Sequence, residues 1–362
     1  MTTSKKNNSF SGGRQPTHYY HSLSSHLISI IIIIISSSFS ISFFFLYYFN
    51  IKIFITCFAQ FQHVHACSNL RWEGILQLAR RHSDCIETMR LVRFISDDGK
   101  IYLGEENKEF GCVARVVEGS IYNVDTLRRT GEYRYIAILL SPIVPRDIFC
   151  IGLNYMRHYE ELSKKIGIKL PGRPVVFMKS TSSLNRHGGN ISLPILGEEG
   201  NEQLDYEVEL CVVISKPAKN VSAENAFEYI AGYTVANDVS QRYWQNNAGA
   251  GQWIKGKSFD GFSPLGPVFV TRDEVKNPQN LRCISRVNGE IRQDSNTADM
   301  IFTIGQCIEW VTKGMTLLPG TVILTGTPEG VGAGFSPQKF LKRGDVVTCE
   351  VEGIGELRNQ IV

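Results

Sequence analysis

The first seventy residues contain neither aspartate nor glutamate, and Lys52 is the only charge between Gln15 and Leu70. Residues 1–88 hold seven basic and three acidic side chains, a balance of +4, while the remainder, with 31 basic and 32 acidic, stands at −1. Near-neutrality of the larger part leaves no basic surface for a polyanion, so no nucleic-acid partner is expected. Histidine is scarce where chemistry is sought: six of eight fall within the first 82 residues, leaving His158 and His187. An imidazole base, if one is used, is one of these two. The nine cysteines, at 57, 67, 85, 112, 150, 211, 283, 307 and 349, never stand two to four residues apart, which excludes close-spaced structural zinc sites. With no convincing cleavable signal peptide, they are expected to be free and mostly buried thiols. A repeated βαβ rhythm and internal repeats are also missing.

Leu27–Phe49 is an uncharged run that includes six isoleucines from Ile30 to Ile35. Its length suits a bilayer span. Its Ser, Ile, Phe, Tyr and Asn content also matches translated AT-rich non-coding DNA, and basic residues on both flanks leave the orientation undecided. Residues 1–88 therefore read as a low-complexity N-terminal extension with three open meanings: an artefact or tail, a membrane anchor, or a targeting segment. Localisation stays mitochondrial or cytoplasmic, with membrane attachment only if 27–49 is real and retained.

From Met89 the composition is ordinary for a globular chain, 43% hydrophobic and 20% charged overall. Short strands with turn punctuation predict an α+β, mainly β, architecture. Residues 89–141 form a small β-rich piece, and 142–362 a longer unit with strands over 174–179, 206–214, 230–237, 267–271, 321–325 and 346–351. Asn288-Gly289 between two strand-like runs is the strongest hairpin signal. Ser222 caps a helix through Tyr229, and Thr303 with Gln306 forms a capping box ahead of Ile304–Val311.

The segment Asp205-Tyr206-Glu207-Val208-Glu209 carries the chemistry. On a strand, Glu207 and Glu209 share a face. Two adjacent carboxylates repel and are costly to bury, so they need water or a cation. A solvated sheet face is the ordinary explanation, but the apolar Cys211–Ile214 run weighs against it. Asp238, ending an apolar strand, is a third acid. Three carboxylates without thiolate or clustered imidazole favour a hard ion, magnesium first, then manganese or calcium. His158 and Glu161, three apart, meet on one helical turn, as a base and its orienting carboxylate would; a surface histidine on a charged helix is the alternative. Gly251–Ser258 satisfies the phosphate-loop pattern, yet no buried strand precedes it, and Gly261, Pro264, Gly266 and Pro267 follow it. That reading fails on context. Lys257 remains as a cation for an enolate or carboxylate.

The stretches FCIGLNYMRHYEEL, LDYEVELCVVI, VANDVSQRYWQ, QWIKGKSFDGFSPLGP, RVNGEIRQDSNT, VILTGTPEGVG and LKRGDVVTCEVEGIGELRN resemble the fumarylacetoacetate hydrolase family over 142–362, most closely its type-2 domain-containing branch. The resemblance implies a mixed β-roll, usually a homodimer. It implies metal ligands at Glu207, Glu209 and Asp238, with Lys257 close by and a His158/Glu161 dyad carried on a lid. Lys179, Gln245 and Thr327 would line the substrate pocket. It further implies a small 2-oxo acid handled through an enolate, most directly oxaloacetate keto–enol tautomerisation. Acylpyruvate- or fumarylpyruvate-type C–C hydrolysis and oxaloacetate decarboxylation are the alternatives, and a non-catalytic paralogue a remoter one. Ser180, Ser215, Gln241 and Tyr243 depart from the family pattern; the last two, near Asp238, put substrate preference in question.

Overall fold

The computed structural model describes residues 89–107, 111–167, 169–193, 203–247 and 250–362; the apolar run at 27–49 lies outside them. Among the described residues the fold is mainly β, with four short α-helices: α1 (Met156–Ile166), α2 (Arg242–Asn246), α3 (Ile254–Lys257) and α4 (Ile304–Thr312). No helix among them is long and apolar enough to cross a membrane.

The strand Val208–Ile214 explains the layering. Every one of its residues is buried. Alternation sends Val208, Leu210, Val212 and Ile214 into one apolar cluster, and Cys211 and Val213 into another. With both faces covered, the strand reads as a continuous apolar run. Its neighbours are Ile230–Asn237 and Val322–Leu324, both antiparallel. The large sheet runs Asn123–Tyr135, Val113–Ser120, Ile101–Glu106, Arg90–Ile95, Ser263–Thr271, Ile230–Asn237, Val208–Ile214, Val322–Leu324, Ile148–Gly152, Val175–Lys179. The N-terminal piece is thus a meander that joins this sheet, with Arg90 and Leu91 opposite Val270 and Phe269. Val117 and Leu127 of the meander share a cluster with Cys211 and Val213 from mid-sheet, so the sheet curls back on itself. A second, five-stranded sheet, which includes Arg282–Val287, Val346–Val351 and Gly355–Ile361, packs on the other face together with α4.

Local signals decide several elements. Asn288 and Gly289 take φ of 52° and 84°, as a two-residue turn with both central residues left-handed requires. Thr303 and Gln306 make the reciprocal capping box at α4. The six described cysteines are free, five of them buried.

Three expected elements differ. The 206–214 strand starts only at Val208. Leu204–Asp205 pairs instead with Ser240–Gln241 in a separate ladder, and Tyr206 and Glu207 form the step between, because the Asp205 side chain accepts from Tyr206 N at 2.9 Å. The 222–229 helix is only a 3₁₀ turn over Ala226–Tyr229; Phe227 is exposed, so no apolar stripe holds a longer helix. The 267–271 strand begins at Ser263. It accommodates Pro267 where the ladder to Ile230–Asn237 shifts register between Tyr233 and Val235.

Leu210 is fully buried on the central strand. Leu210→Ala is expected to lower stability by about 2–5 kcal/mol, read from urea unfolding midpoints.

Candidate active site

Strand register brings the three acids together. Val208 pairs with Asn237, so Glu207 and Asp238, one residue beyond, stand side by side. Asp238 N donates to Glu207 O at 2.9 Å, and Glu207 N donates to Asn237 Oδ1 at 3.0 Å. Glu209, one pleat further along, completes the group: ligand atoms of Glu207, Glu209 and Asp238 all lie within 4.8 Å of one another. All three side chains are buried.

Their partners are unequal. Lys257 Nζ donates to Glu207 Oε2 at 2.6 Å and to Asp238 Oδ2 at 2.9 Å. Arg242 lies 2.7 Å from Glu207 Oε1. Lys179 Nζ donates to Asp238 Oδ1 at 2.5 Å and to Val239 O at 3.1 Å. Glu209 accepts from Gly326 N at 2.7 Å and has no ion pair among the described residues. Burial pushes the Glu207 carboxyl up, but the Lys257 and Arg242 cations overcome it and hold it down at about 2. Burial, reinforced by the negative Asp238 and Glu207, raises the Glu209 carboxyl well above the ordinary range. The ammonium of Lys257 is opposed by burial but favoured by Asp238 and Glu207, and its pKa is raised.

One glycine-rich loop, Gly326–Gly334, distributes backbone N–H groups among the acids. Gly326 holds Glu209; Gly330 N reaches Glu161 at 3.3 Å; Gly332 N and Ala333 N donate to Asp205 at 2.6 and 3.0 Å. Gly326 has φ of 101°, and a Cβ there would stand 2.7 Å from the Asn154 Cβ, so the position demands glycine. Gln293 staples the loop to the Val208–Ile214 strand: its Oε1 accepts from Val208 N and its Nε2 donates to Thr327 Oγ1.

A cavity of about 180 Å³ opens over the acids, and His158, Gln245, Lys257 and Thr327 also line it. His158 Nδ1 faces Glu161 Oε2 at 3.2 Å, which places Glu161 behind the imidazole. Lys179 does not line the cavity; it sits beneath Asp238, its side chain fully buried. Thr327 spends its hydroxyl hydrogen on Val208 O at 3.0 Å. Trp253 and Phe177, ring centroids 5.2 Å apart, form an apolar wall.

A hard-oxygen donor set, a lysine, a guanidinium and a histidine around one small cavity, with a second lysine beneath Asp238, form an active-site arrangement. The fumarylacetoacetate hydrolase C-terminal model matches residues 147–362. The chain belongs to the fumarylacetoacetate hydrolase family. It is an enzyme of that family: a mitochondrial oxaloacetate tautomerase of Homo sapiens is 44% identical over 224 residues, covering 62% of this chain and 69% of the relative. A fumarylacetoacetate hydrolase domain-containing protein 2 homologue of Dictyostelium discoideum is 44% identical over 230 residues, covering 61% and 73%. Among solved structures, 2-hydroxyhepta-2,4-diene-1,7-dioate isomerase from Mycobacterium marinum is similar, with TM-score 0.64 and 35% identity, covering 76% of this chain and 98% of that one.

The departures at Gln241 and Tyr243 stand outside the described lining of the cavity, on either side of Arg242, which is part of it. Gln241 caps α2 by accepting from Trp244 N at 2.9 Å, and neither residue lines the cavity. Residues that sequence reasoning passed over matter more. Arg242 donates through Nε to Asp205 at 2.9 Å and through Nη1 to Gln245 Oε1 at 2.9 Å, joining Glu207, the loop anchor and a pocket amide. Asp205 in LDYEVELCVVI and Arg242 in VANDVSQRYWQ are charges flanking apolar strands, the one signal the sequence offers for them. The phosphate-loop match contains α3 itself, one helical turn that aims Lys257 at carboxylates. Gly256 there fits because a Cβ would stand 2.5 Å from Gln245 N.

Removing the guanidinium leaves buried Asp205 with backbone N–H donors but no cation, and buried Glu207 with Lys257 alone. Arg242→Met is expected to cost about 3–5 kcal/mol, measured by chemical denaturation; a change below 1 kcal/mol, roughly the worth of an exposed pair, contradicts this account.

Proposed function

We propose that the enzyme is an oxaloacetate keto–enol tautomerase that uses a divalent cation, magnesium in the first place. The observation that carries this reading is the convergence of three buried carboxylates, with Glu209 lacking a cationic partner, on a cavity that His158 also lines. The donor set fits a hard ion: oxygen ligands only, all from carboxylates, with no sulfur in the group. Glu207, Glu209 and Asp238 would hold it. When bound, it would supply Lewis-acid polarisation to a chelating 2-oxo carboxylate.

The chain's own groups do the rest. His158, oriented by Glu161, moves a proton at C3 of the substrate. Lys257, its charge sustained by two carboxylates, adds positive potential where enolate charge develops. Arg242 donates to Gln245 Oε1, which fixes that amide with its N–H₂ end free to meet a substrate oxygen. Trp253, Phe177 and Leu153 restrict water on the apolar side of the cavity.

Tautomerisation needs no water at the distal carbonyl, whereas C–C hydrolysis does. The reading gains support from the relatives: the human protein is named an oxaloacetate tautomerase, and the Mycobacterium marinum structure is named an isomerase. The test is a panel of enol-oxaloacetate, oxaloacetate and acetylpyruvate, each with magnesium and each followed by ultraviolet absorbance. Loss of the enol signal without release of carbon dioxide is expected. Cleavage of acetylpyruvate as the dominant turnover would replace tautomerase by hydrolase.

Two variants test the assignments. Glu207→Gln should abolish magnesium binding in calorimetry, and unchanged affinity would remove the metal assignment. His158→Ala should bind magnesium normally while kcat falls by about 10²–10⁴-fold; full activity ends the dyad proposal.

A further inference from the structure

Helix α1 carries His158, and the way it is attached is not explained by its own sequence. Asn154, just before it, is fixed: Nδ2 donates to Thr325 O at 2.8 Å, Oδ1 accepts from Phe302 N at 2.9 Å, and its carbonyl accepts from Ile301 N at 2.8 Å. Leu153, one residue earlier, has φ of 54°, a left-handed conformation that strains leucine and persists only where surrounding structure enforces it. The helix has no side-chain cap and no acid in its first turn. In that turn stands Arg157, a cation at the end where the helix dipole disfavours one.

Contacts outside the helix account for it. Arg157 N donates to Asp299 Oδ2 at 3.1 Å, so an aspartate from another segment does the work of a cap. The guanidinium lies 3.6 Å from the same oxygen, donates to Ser295 Oγ at 2.7 Å, and reaches Glu329 Oε1 at 3.1 Å. Glu329 belongs to the glycine loop. Its other oxygen, Oε2, is buried without a hydrogen-bond partner, and Arg157 is its only ion-pair partner among the described residues. One residue on, Gly330 N holds Glu161. Helix and loop therefore meet at two points, an ion pair on one flank of His158 and the Glu161 carboxylate on the other.

We propose that Arg157 is a positioning residue: by clamping the first turn of α1 to Glu329 and Asp299 it fixes where His158 stands in the cavity. The proposal rests on His158 being the proton-moving group. Arg157 and Glu329 do not line the cavity and touch none of the three acids, so the clamp acts through geometry alone. Because Arg157 is 51% exposed, salt weakens the clamp.

The experiment compares Arg157→Gln, Glu329→Gln, the double variant and Arg157→Lys with the parent enzyme. It measures magnesium affinity, kcat and KM at low and high salt, and hydrogen exchange of the α1 amides. Arg157→Gln should lower kcat about fivefold, the size of a partly exposed ion-pair effect, with magnesium affinity and KM unchanged. Glu329→Gln should shift kcat in the same direction, and the double variant should match Arg157→Gln alone, since both remove one clamp. Arg157→Lys keeps the charge but loses the fork and should fall between. High salt should slow the parent towards Arg157→Gln and leave Arg157→Gln and the double variant flat. The α1 amides should exchange faster in Arg157→Gln. Unchanged kcat and exchange in Arg157→Gln, or multiplied losses in the double variant, overturn the proposal. Exchange reads the clamp whatever the substrate, so its failure is distinguishable from failure of the tautomerase reading.

Discussion

The structure is organised around a charge problem. Four carboxylates, Asp205, Glu207, Glu209 and Asp238, are buried beside three buried cations, Lys179, Arg242 and Lys257. Each buried charge is costly unless paired and hydrogen-bonded, and the pairing is uneven. Asp205 is saturated by backbone N–H groups and Arg242, Asp238 is held between two lysines, and Glu207 between a lysine and an arginine. The deficit falls on Glu209. An arrangement that spends three cations on three of the four acids and leaves the fourth with a single amide suits the cation site proposed for it.

The burial itself is a consequence of the sheet. Val208–Ile214 is enclosed on both faces, so anything on it that is not apolar must be matched by built-in polarity. Glu209 shares a face with Cys211 and Val213, whereas Glu207 lies in the step between two ladders, freed from strict alternation by the Asp205 side chain. That step lets Glu207 stand beside Asp238 while its backbone still bonds across to Asn237. The glycine loop then supplies amides at spacings that no continuous strand could provide, and Gln293 binds it to the Val208–Ile214 strand. The cavity is therefore bounded by hydrogen-bonded carboxylates on one side and, in the proposed reading, clamped on its His158 side, a division of labour that suits proton transfer.

Much of this was legible in the chain. The paired glutamates, Asp238, the His158–Glu161 spacing, the Asn288-Gly289 hairpin and the Thr303–Gln306 capping box are local patterns whose physics needs no tertiary knowledge. What could not be read was set by long-range contacts. Nothing near Lys179 in sequence tells that it would lie under Asp238 and away from the cavity. The break after Asp205 depends on Gly332 and Ala333, far along the chain. The 222–229 helix failed because no partner surface covers Phe227, and the strand through Pro264 and Pro267 succeeded because the neighbouring ladder skips a register there. Gln241 looked like a change in the pocket because it is close to Asp238 in sequence; on the strand-to-helix corner its side chain turns to cap α2 instead.

The charge count also bears on what the cavity accepts. With all seven buried groups ionised the cluster carries one net negative charge, and with Glu209 protonated, as its burial beside Asp238 and Glu207 favours, it is neutral; in neither state does it attract a dicarboxylate. A divalent ion held by the ionised acids would bring the cluster to one net positive charge, and only then would the cavity attract an anionic 2-oxo acid. In the proposed reading the ion thus governs binding as well as chemistry: substrate has no electrostatic reason to enter before it. The small apolar wall of Trp253 and Phe177 adds nothing to that attraction, so in the same reading affinity would be concentrated at the carboxylate and 2-oxo end, where an enolate would form. An enzyme built this way gains more from stabilising developing charge than from gripping the rest of the substrate, and that favours the transition state over the ground state.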